Sequence, residues 1–308
     1  MAGWALGQAG LKTKTRKGMA ALILGANMPD IDVFFGWAPW LPLATHRGFT
    51  HGLVGGVLLM PPLLAGFLWL LDRWQVGRGA TFKSHVRIRF GWLVALAYFG
   101  AITHPLLDLL TTYSVQLYSP LSKAWYHSDG LFIIDLWLWL ILGGTLIWSH
   151  RLEAAGKTWR RPVQVAIGVV LAYIGINLLI TQSAFATVRS SNPQAQSIFA
   201  SPPPVTFWRR QLTWREGDCY RSKTYDPLSG AGATGACIPH NMHDPQVVAA
   251  RRADPGLRKF LRWSILPMAR VQGNKCQVQV VVGDFRYGSG ASSRLRHETI
   301  LPRTAPGC

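Results

Sequence analysis

The first 218 residues contain no cysteine, and charged residues make up only 15% of the 308-residue chain. The absence of cysteine excludes disulfides and thiolate metal sites from this part of the protein. The low charge excludes a disordered, solvated chain, because such chains are rich in charged side chains. Apolar residues take their place: 49% of the chain is hydrophobic and 14 residues are tryptophan. This composition predicts a membrane protein.

Long apolar runs predict a mainly α, polytopic transmembrane helical bundle over residues 1–181. Four runs are long enough, or nearly so, to cross about 30 Å of hydrocarbon as helices: 52–71, 91–112, 131–148 and 163–181. A weaker fifth candidate, 19–37, is interrupted by Pro29, and we expect its helix to end or re-enter there. No cleavable signal peptide is apparent, so we expect the first apolar segment to remain as an anchor.

Basic residues predict the orientation of these helices. They concentrate in residues 12–17, 73–89 and 151–161, whereas the loop 113–130 carries only Lys123. The positive-inside rule places the three basic stretches in the cytoplasm. With an odd number of spans, everything after Thr181 is then predicted to lie outside.

Carboxylates and histidines collect at the predicted outer ends of the apolar segments. Each ionisable side chain in a membrane costs on the order of 2.5–3.5 kcal/mol, so several at one depth indicate a site. His104 and Asp108 are four residues apart and share one helix face. Imidazole and carboxylate are ligands that Zn²⁺ and Mn²⁺ accept. The alternatives are a hydrogen-bonded polar cluster between helices and, for the loop at His51, a helix cap made by Thr50.

Four motifs resemble the YdjM-like family of inner-membrane proteins, which are described as metal-dependent hydrolases and as LexA-binding. They are Gly-Gln-Ala-Gly-Leu-Lys-Thr-Lys-Thr-Arg at 7–16, Ala-Asn-Met-Pro-Asp-Ile-Asp at 26–32, His-Arg-Gly-Phe-Thr-His-Gly at 46–52 and Thr-His-Pro-Leu-Leu-Asp-Leu-Leu-Thr-Thr-Tyr at 103–113. The resemblance implies a bacterial inner-membrane location and a metal-binding set of six residues: Asp30, Asp32, His46, His51, His104 and Asp108. One departure from the family is that no histidine precedes His46. Two interpretations stay open: the true start codon lies upstream of Met1, or the protein lacks one ligand of the family.

The function predicted from these features is hydrolysis of an ester or phosphoester in a membrane-associated or envelope substrate. A divalent metal, Zn²⁺ or Mn²⁺, would lower the pKa of a bound water toward about 7 and polarise the scissile bond. Arg47 would hold an anionic group of the substrate, and Asp135 or an unliganded aspartate would be the general base. Two alternatives stay open: a metal-ion carrier that uses the same ligands, and a non-catalytic regulatory or scaffold protein. A LexA-type regulator follows only from the family description.

Beyond the apolar part, residues 182–204 are interpreted as a linker and 205–308 as a small α+β domain outside the membrane. Its sheet is predicted to be mostly antiparallel, with strands at 205–214 and 276–282 and a short helix at 254–263. All four cysteines lie in this domain: Cys219, Cys237, Cys276 and Cys308. Their location favours disulfides, with three connectivities open. A second metal site at Cys237-x-x-His240-x-x-His243 is a further alternative.

The C-terminal part is strongly basic, since 17 Lys and Arg face 7 Asp and Glu after residue 181, a difference of +10. A basic surface beside a bilayer attracts anionic lipid or other phosphorylated material. Anionic lipid or a phosphorylated envelope substrate is therefore the predicted partner, together with the lipid bilayer itself. Nucleic acid is not expected, because it would have to meet this domain outside the cell.

Overall fold

The computed structural model describes residues 1–35, 48–82, 84–274, 276–288 and 295–302. The chain forms two compact units, one that extends to Leu178 and one that begins at Leu179. The first unit is helical, and the second combines the end of the last long helix with two antiparallel sheets and two short helices.

The helices that begin in the first unit are α1 (Ala2–Gln8), α2 (Gly18–Asn27), α3 (Leu53–Gly77), α4 (Phe90–Leu109), α5 (Leu136–Ala154) and α6 (Arg160–Ser191). The first turns of α3, Leu53–Leu59, are π-helical. A 3-10 segment, Met28–Phe35, follows α2 directly. The regular helix therefore ends two residues before Pro29, as expected from the missing N–H and fixed φ of proline.

Three helices of the described part are long and apolar enough to cross a membrane: α3, α4 and α6. They correspond to the predicted runs 52–71, 91–112 and 163–181. The run 131–148 forms a 19-residue helix, α5, which is not among these three. The weak candidate 19–37 divides into the 10-residue α2 and the 3-10 segment. The structure thus confirms a mainly helical unit with three candidate spans, and the five-span bundle stays a prediction.

Glycine allows α2 and α4 to pack against each other at close range. A Cβ atom at Gly25 would lie 2.6 Å from the carbonyl oxygen of Ala97, and one at Gly100 would lie 2.5 Å from that of Leu22. Small residues at such positions are typical of helix pairs in membranes, where close backbone approach replaces the hydrophobic effect as the source of stability. Leu22 and Ala97 are fully buried at this interface.

Two ion pairs join the basic segments to neighbouring helices at the predicted inner end of the first unit. The Arg16 guanidinium donates to both carboxylate oxygens of Asp72, at 2.7 and 2.6 Å, and Asp72 is buried. Lys12 pairs with Glu153 at 2.5 Å. Asp72 and Glu153 thus each have a basic partner. This agrees with the sequence pattern, in which both carboxylates lie among the basic residues.

The second unit contains a five-stranded and a three-stranded antiparallel sheet. The first sheet has the order β1 (Gln196–Ser201), β2 (Arg210–Glu216), β3 (Cys219–Asp226) and β4 (Gly230–Ala231), with β5 (Ile238–Pro239) also paired to β3. The second has the order β6 (Pro267–Gly273), β7 (Gln277–Asp284) and β8 (Arg296–Pro302). Helices α7 (Pro245–Ala253) and α8 (Pro255–Trp263) precede β6.

Residues 182–204, interpreted as a linker, contain the end of α6 and all of β1. The helix continues because Ala184, Phe185 and Val188 have a helical spacing and pack on the first sheet, in a cluster with Leu212 and Trp214. Burial of these apolar side chains offsets the entropy of ordering the segment. The linker signal, Pro202 to Pro204, lies only at its end.

The elements predicted farther along the C-terminal part are largely present. The helix at 254–263 is α8, capped by Asp254, whose side chain accepts from the backbone N–H groups of Gly256 and Leu257. The strand at 276–282 is β7, whereas the strand at 205–214 begins only at Arg210. One disulfide joins Cys219 to Cys237, and Cys276 is disulfide-bonded as well.

The close packing of α2 and α4 makes a testable prediction for Gly100→Ala. The new methyl group would meet backbone atoms of α2, and overpacking of this kind costs about 1–3 kcal/mol. We expect a lower unfolding temperature of the detergent-solubilised protein. The matched control is Gly66→Ala, at a helix position with open space around the built Cβ, where alanine should be neutral or stabilise by about 0.5–1 kcal/mol. Equal stability of the two variants would contradict the packing described here.

Candidate metal centre

Four ionisable side chains from three segments converge in the first unit. Asp30 comes from the 3-10 segment after α2, His51 from the loop before α3, and His104 and Asp108 from the C-terminal part of α4. Asp30 Oδ1 lies 3.2 Å from Nε2 of His51 and 3.4 Å from Nε2 of His104. Asp108 Oδ2 lies 3.5 and 3.6 Å from the same two nitrogens. We refer to these four residues as the His–Asp cluster.

The cluster is mostly enclosed but open on one side. The side chain of His51 is 0% exposed, while those of His104 and Asp108 are 15% and 14% exposed. The side chain of Asp30 is 43% exposed. Solvent therefore reaches the cluster from the side of Asp30, and the two imidazoles form its inner wall.

His104 is held in one tautomer by the neighbouring helix. Its Nδ1 lies 2.9 Å from the carbonyl oxygen of Ala26. A carbonyl only accepts hydrogen bonds, so Nδ1 must carry a proton and donate it. In the neutral ring, Nε2 then has a lone pair directed toward Asp30 and Asp108. A histidine that ligates a metal commonly donates its other N–H in this way.

His51 is held in the same tautomer by a hydroxyl group. The Thr50 hydroxyl donates to Asp32 Oδ2 at 3.2 Å and lies 3.1 Å from Nδ1 of His51. Since the hydroxyl has a single proton, it accepts from Nδ1–H of His51 when it donates to Asp32. Nε2 of His51 faces Asp30 Oδ1 at 3.2 Å, a contact that is a hydrogen bond when Nε2 carries a proton and that a metal ion could replace when it does not. We call this series of contacts the Asp32–Thr50–His51 relay.

The spacing of the ligand atoms suits a small divalent ion. Ligand atoms 2.0–2.2 Å from one ion at tetrahedral angles lie about 3.3–3.6 Å from each other. The four distances between histidine nitrogens and carboxylate oxygens in the cluster run from 3.2 to 3.6 Å. Two imidazole nitrogens and two carboxylate oxygens are a donor set that Zn²⁺ and Mn²⁺ accept. Asp30, His51 and His104 have ligand atoms that all lie within 4.8 Å of one another and could hold such an ion, whereas Asp108 contacts both histidines but is not part of this close group.

The structure brings together four of the six residues predicted as ligands. Asp32 is buried, and its Oδ2 accepts a hydrogen bond from the hydroxyl of Thr50, the residue before His51. His46 lies outside the described residues, as does Arg47, the residue predicted to hold an anion. The predictions for these two residues stay predictions.

Asp135, the predicted general base, caps a helix in the structure. Its Oδ1 accepts from the backbone N–H of Leu138 at the start of α5, and both carboxylate oxygens accept from the Tyr173 hydroxyl at 3.2 and 3.0 Å. Asp135 is 6% exposed. These contacts give it a structural role, and its role as a base stays a prediction.

Sequence reasoning missed the contacts that fix the two imidazoles. The helix cap at Thr50, one of the alternatives from the sequence, is not formed, because α3 begins after Gly52 and has no side-chain cap. The position of Thr50 next to His51 in the sequence was the one feature that could have indicated the relay. The contact of His104 with the Ala26 carbonyl could not be predicted, because every residue has a backbone carbonyl and only the approach of α2 to α4 brings this one close to His104.

A second group of potential ligands, Asp218, His240 and His243, lies in the second unit. It differs from the His–Asp cluster in the hydrogen bond made by Nδ1 of its buried histidine. Nε2 of His240 and Nε2 of His243 lie 3.6 and 3.5 Å from Asp218 Oδ1. Nδ1 of His240, however, accepts a hydrogen bond from the backbone N–H of Met242 at 3.1 Å. The proton of the neutral ring is therefore on Nε2, where a metal would need a lone pair. Burial, with a smaller effect of Arg215, lowers the pKa of His240.

Cys237 cannot complete a metal site at this second group. Its sulfur is bonded to Cys219, and a disulfide has no thiolate to offer. The alternative of a Cys237-x-x-His240-x-x-His243 site is wrong for this reason. Close distances alone thus do not distinguish the two groups, whereas the tautomers of their histidines do.

Comparison with known proteins identifies similar sequences. A family model described as YdjM inner membrane protein matches residues 1–184, a range that includes the whole His–Asp cluster. The uncharacterized protein YfhP of Bacillus subtilis (strain 168) is 24% identical over 276 residues, which cover 88% of this chain and 77% of YfhP. No solved structure matches the chain.

The Asp32–Thr50–His51 relay predicts how substitutions of Thr50 change metal affinity. Thr50→Val keeps the shape but removes the hydroxyl, so His51 loses the group that fixes its tautomer. Loss of such a partner typically weakens metal binding by about 10–100-fold. Thr50→Ser should keep most of the affinity, because serine retains the hydroxyl. Competition with a chromophoric chelator for Zn²⁺ measures the difference.

The matched control for this series is His243→Ala in the second unit. It removes an exposed imidazole from the group that we do not assign to metal, so affinity should not change. Equal affinity of Thr50→Val and the wild type would contradict the relay, and a loss in His243→Ala would contradict the distinction between the two groups.

Proposed function

The chain belongs to the YdjM inner membrane protein family, and on that basis we propose that it is a membrane-bound, metal-dependent hydrolase. Its substrate would be an ester or phosphoester of a membrane-associated or envelope molecule. The observation that carries the proposal is that Nδ1 of both His51 and His104 is engaged in a hydrogen bond. Nε2 of both rings thereby faces the same two carboxylates, at 3.2 to 3.6 Å.

The residues that would hold the ion are Asp30, His51, His104 and Asp108. Zn²⁺ or Mn²⁺ suits this mixed nitrogen and oxygen set. When bound, a divalent ion supplies Lewis-acid activation of water and of the scissile ester or phosphoester. Hydrogen bonds to Ala26 and Thr50 keep the two imidazoles oriented before any ion arrives, which limits the reorganisation that binding requires.

The remaining residues would bind and orient the substrate. Asp30 is on the open side of the cluster, so we place the approach of the substrate there. Arg47 directly precedes the Gly48–His51 loop in sequence, and its planar guanidinium suits a bidentate contact with a phosphate or carboxylate. We retain Asp135 as a candidate base. Its contacts with Tyr173 and Leu138 would have to loosen before it could take a proton.

The location of the cluster favours a fixed site over a metal-ion carrier. A carrier needs ligands along a path through the membrane. Within the described part of the first unit, one group of three or more potential ligands lies close together. Asp72 and Glu153, in the basic part of this unit, are engaged by Arg16 and Lys12. A regulatory or scaffold role has no comparable observation in its favour.

We also propose a multi-pass topology with residues 182–308 in the periplasm. The basic loops on one side support this orientation. The disulfide between Cys219 and Cys237 supports an oxidising compartment for the second unit, because disulfides persist there and are rare in the cytoplasm. With a loop of about 18 residues, such a bond stabilises the fold by roughly 3 kcal/mol.

Hydrolysis by purified protein tests the proposed activity. Wild-type protein loaded with Zn²⁺ or Mn²⁺ should cleave at least one member of a panel of chromogenic esters and phosphoesters. His104→Ala should lose more than about a hundredfold in kcat/KM, because loss of a ligand should exceed the 10–100-fold effect of losing a supporting contact. The matched control is His150→Ala, which removes an exposed imidazole at the far end of α5 and should retain full activity.

Two results would reject the hydrolase. One is no turnover of any panel member by wild-type protein that has been shown to contain metal, which would leave a metal-binding scaffold. The other is equal activity of His104→Ala and His150→Ala, which would assign the hydrolysis to a contaminant or another site.

A further inference from the structure

A groove of about 600 Å³ lies between α5 and α6 in the first unit. Its walls are mainly apolar and include Ile141, Trp148 and Leu152 of α5 and Val165 and Val169 of α6. One end is polar, where it is lined by Thr158, just before α6, and by Arg161 in the first turn of α6. The groove shares no residue with the His–Asp cluster.

The groove is formed by the packing of the two helices. Leu142 and Leu146 of α5 and Val163 and Val170 of α6 belong to one buried apolar cluster, together with Ala5 of α1. The buried Ser149 hydroxyl donates to the carbonyl oxygen of Trp159 at 2.6 Å and fixes the connection between them. The groove is therefore a property of the folded unit and needs no ligand to open it.

Its apolar walls are exposed. Trp148 is 58% exposed and Val165 is 64% exposed. Since α6 is one of the helices apolar enough to cross a membrane, Val165 would face hydrocarbon, and Trp148 of α5 lines the same groove. An alkyl chain is the ligand that such a surface accepts, because it buries apolar area without leaving polar groups unpaired.

The polar end of the groove is positively charged. Arg151, Lys157, Arg160 and Arg161 lie within the end of α5, its connection to α6 and the start of α6. The one carboxylate of this stretch, Glu153, is bound by Lys12 at 2.5 Å. In the part of the chain that the structure describes, no carboxylate pairs with Arg161. The N-terminus of α6 adds its own partial positive charge.

We propose that this groove binds an anionic phospholipid, with one acyl chain between α5 and α6 and the phosphate at Arg161 and Thr158. Basic pockets between membrane helices are known to bind such headgroups. A soluble phosphate would satisfy Arg161 but leave the apolar walls uncovered. A phospholipid would both cover the apolar walls with its acyl chain and pair its phosphate with Arg161.

Native mass spectrometry of the detergent-solubilised chain tests the proposal with phosphatidylglycerol and phosphatidylcholine as probes. Wild-type protein should retain phosphatidylglycerol in preference. Arg161→Gln should weaken that preference about fivefold, the ratio that corresponds to about 1 kcal/mol per basic side chain at a membrane surface. The matched control is Arg78→Gln, which removes an equal charge at the end of α3, outside the groove.

A second pair of variants tests the apolar half of the groove. Val165→Trp fills it from an exposed position and should lower occupancy by phosphatidylglycerol, while Ile176→Trp, on an exposed part of α6 outside the lining, should not. Equal losses in Arg161→Gln and Arg78→Gln would show diffuse surface attraction and overturn the proposal. So would equal retention of the two lipids by the wild type, unchanged binding in Val165→Trp, or full displacement of the lipid by millimolar inorganic phosphate.

Discussion

The hydrogen bond from His104 Nδ1 to the Ala26 carbonyl is the contact on which the candidate site depends. It fixes the tautomer of His104, and it exists only because α2 and α4 approach closely at Gly25 and Gly100. The same approach brings Asp30, just beyond α2, next to His104 of α4. The orientation of the ligands therefore depends on the packing of α2 against α4. A methyl group at Gly100 would disturb both the packing and the ligands.

The sequence predicted the parts of this arrangement that depend on local spacing. The four-residue interval between His104 and Asp108 places them on one helix face, and the cost of burying charge indicated that Asp30 and His51 belong with them. The relay through Thr50 could not be predicted, because it needs the position of Asp32 relative to a loop 18 residues away. The continuation of α6 through the predicted linker depends on packing of Ala184 and Phe185 against a sheet that forms later in the chain.

The two groups of histidine and aspartate show why the direction of hydrogen bonds matters more than distance. In the first unit, a carbonyl and a hydroxyl accept from Nδ1 and leave Nε2 available to a metal. In the second unit, a backbone N–H donates to Nδ1 of His240 and places the proton on Nε2. The metal chemistry that we propose therefore belongs to the His–Asp cluster and not to the second group. The disulfide between Cys219 and Cys237 and the two sheets stabilise the second unit.

X-ray absorption spectroscopy at the metal edge, combined with elemental analysis of the purified protein, tests the central claim most directly. The account predicts roughly one Zn²⁺ or Mn²⁺ per chain, with a first shell of nitrogen and oxygen that includes imidazole at about 2.0–2.1 Å for zinc. The imidazole signal should disappear in the double variant His51→Ala/His104→Ala. Protein that retains no metal after purification in its presence, or an unchanged imidazole shell in the double variant, would contradict the assignment of the cluster as a metal centre.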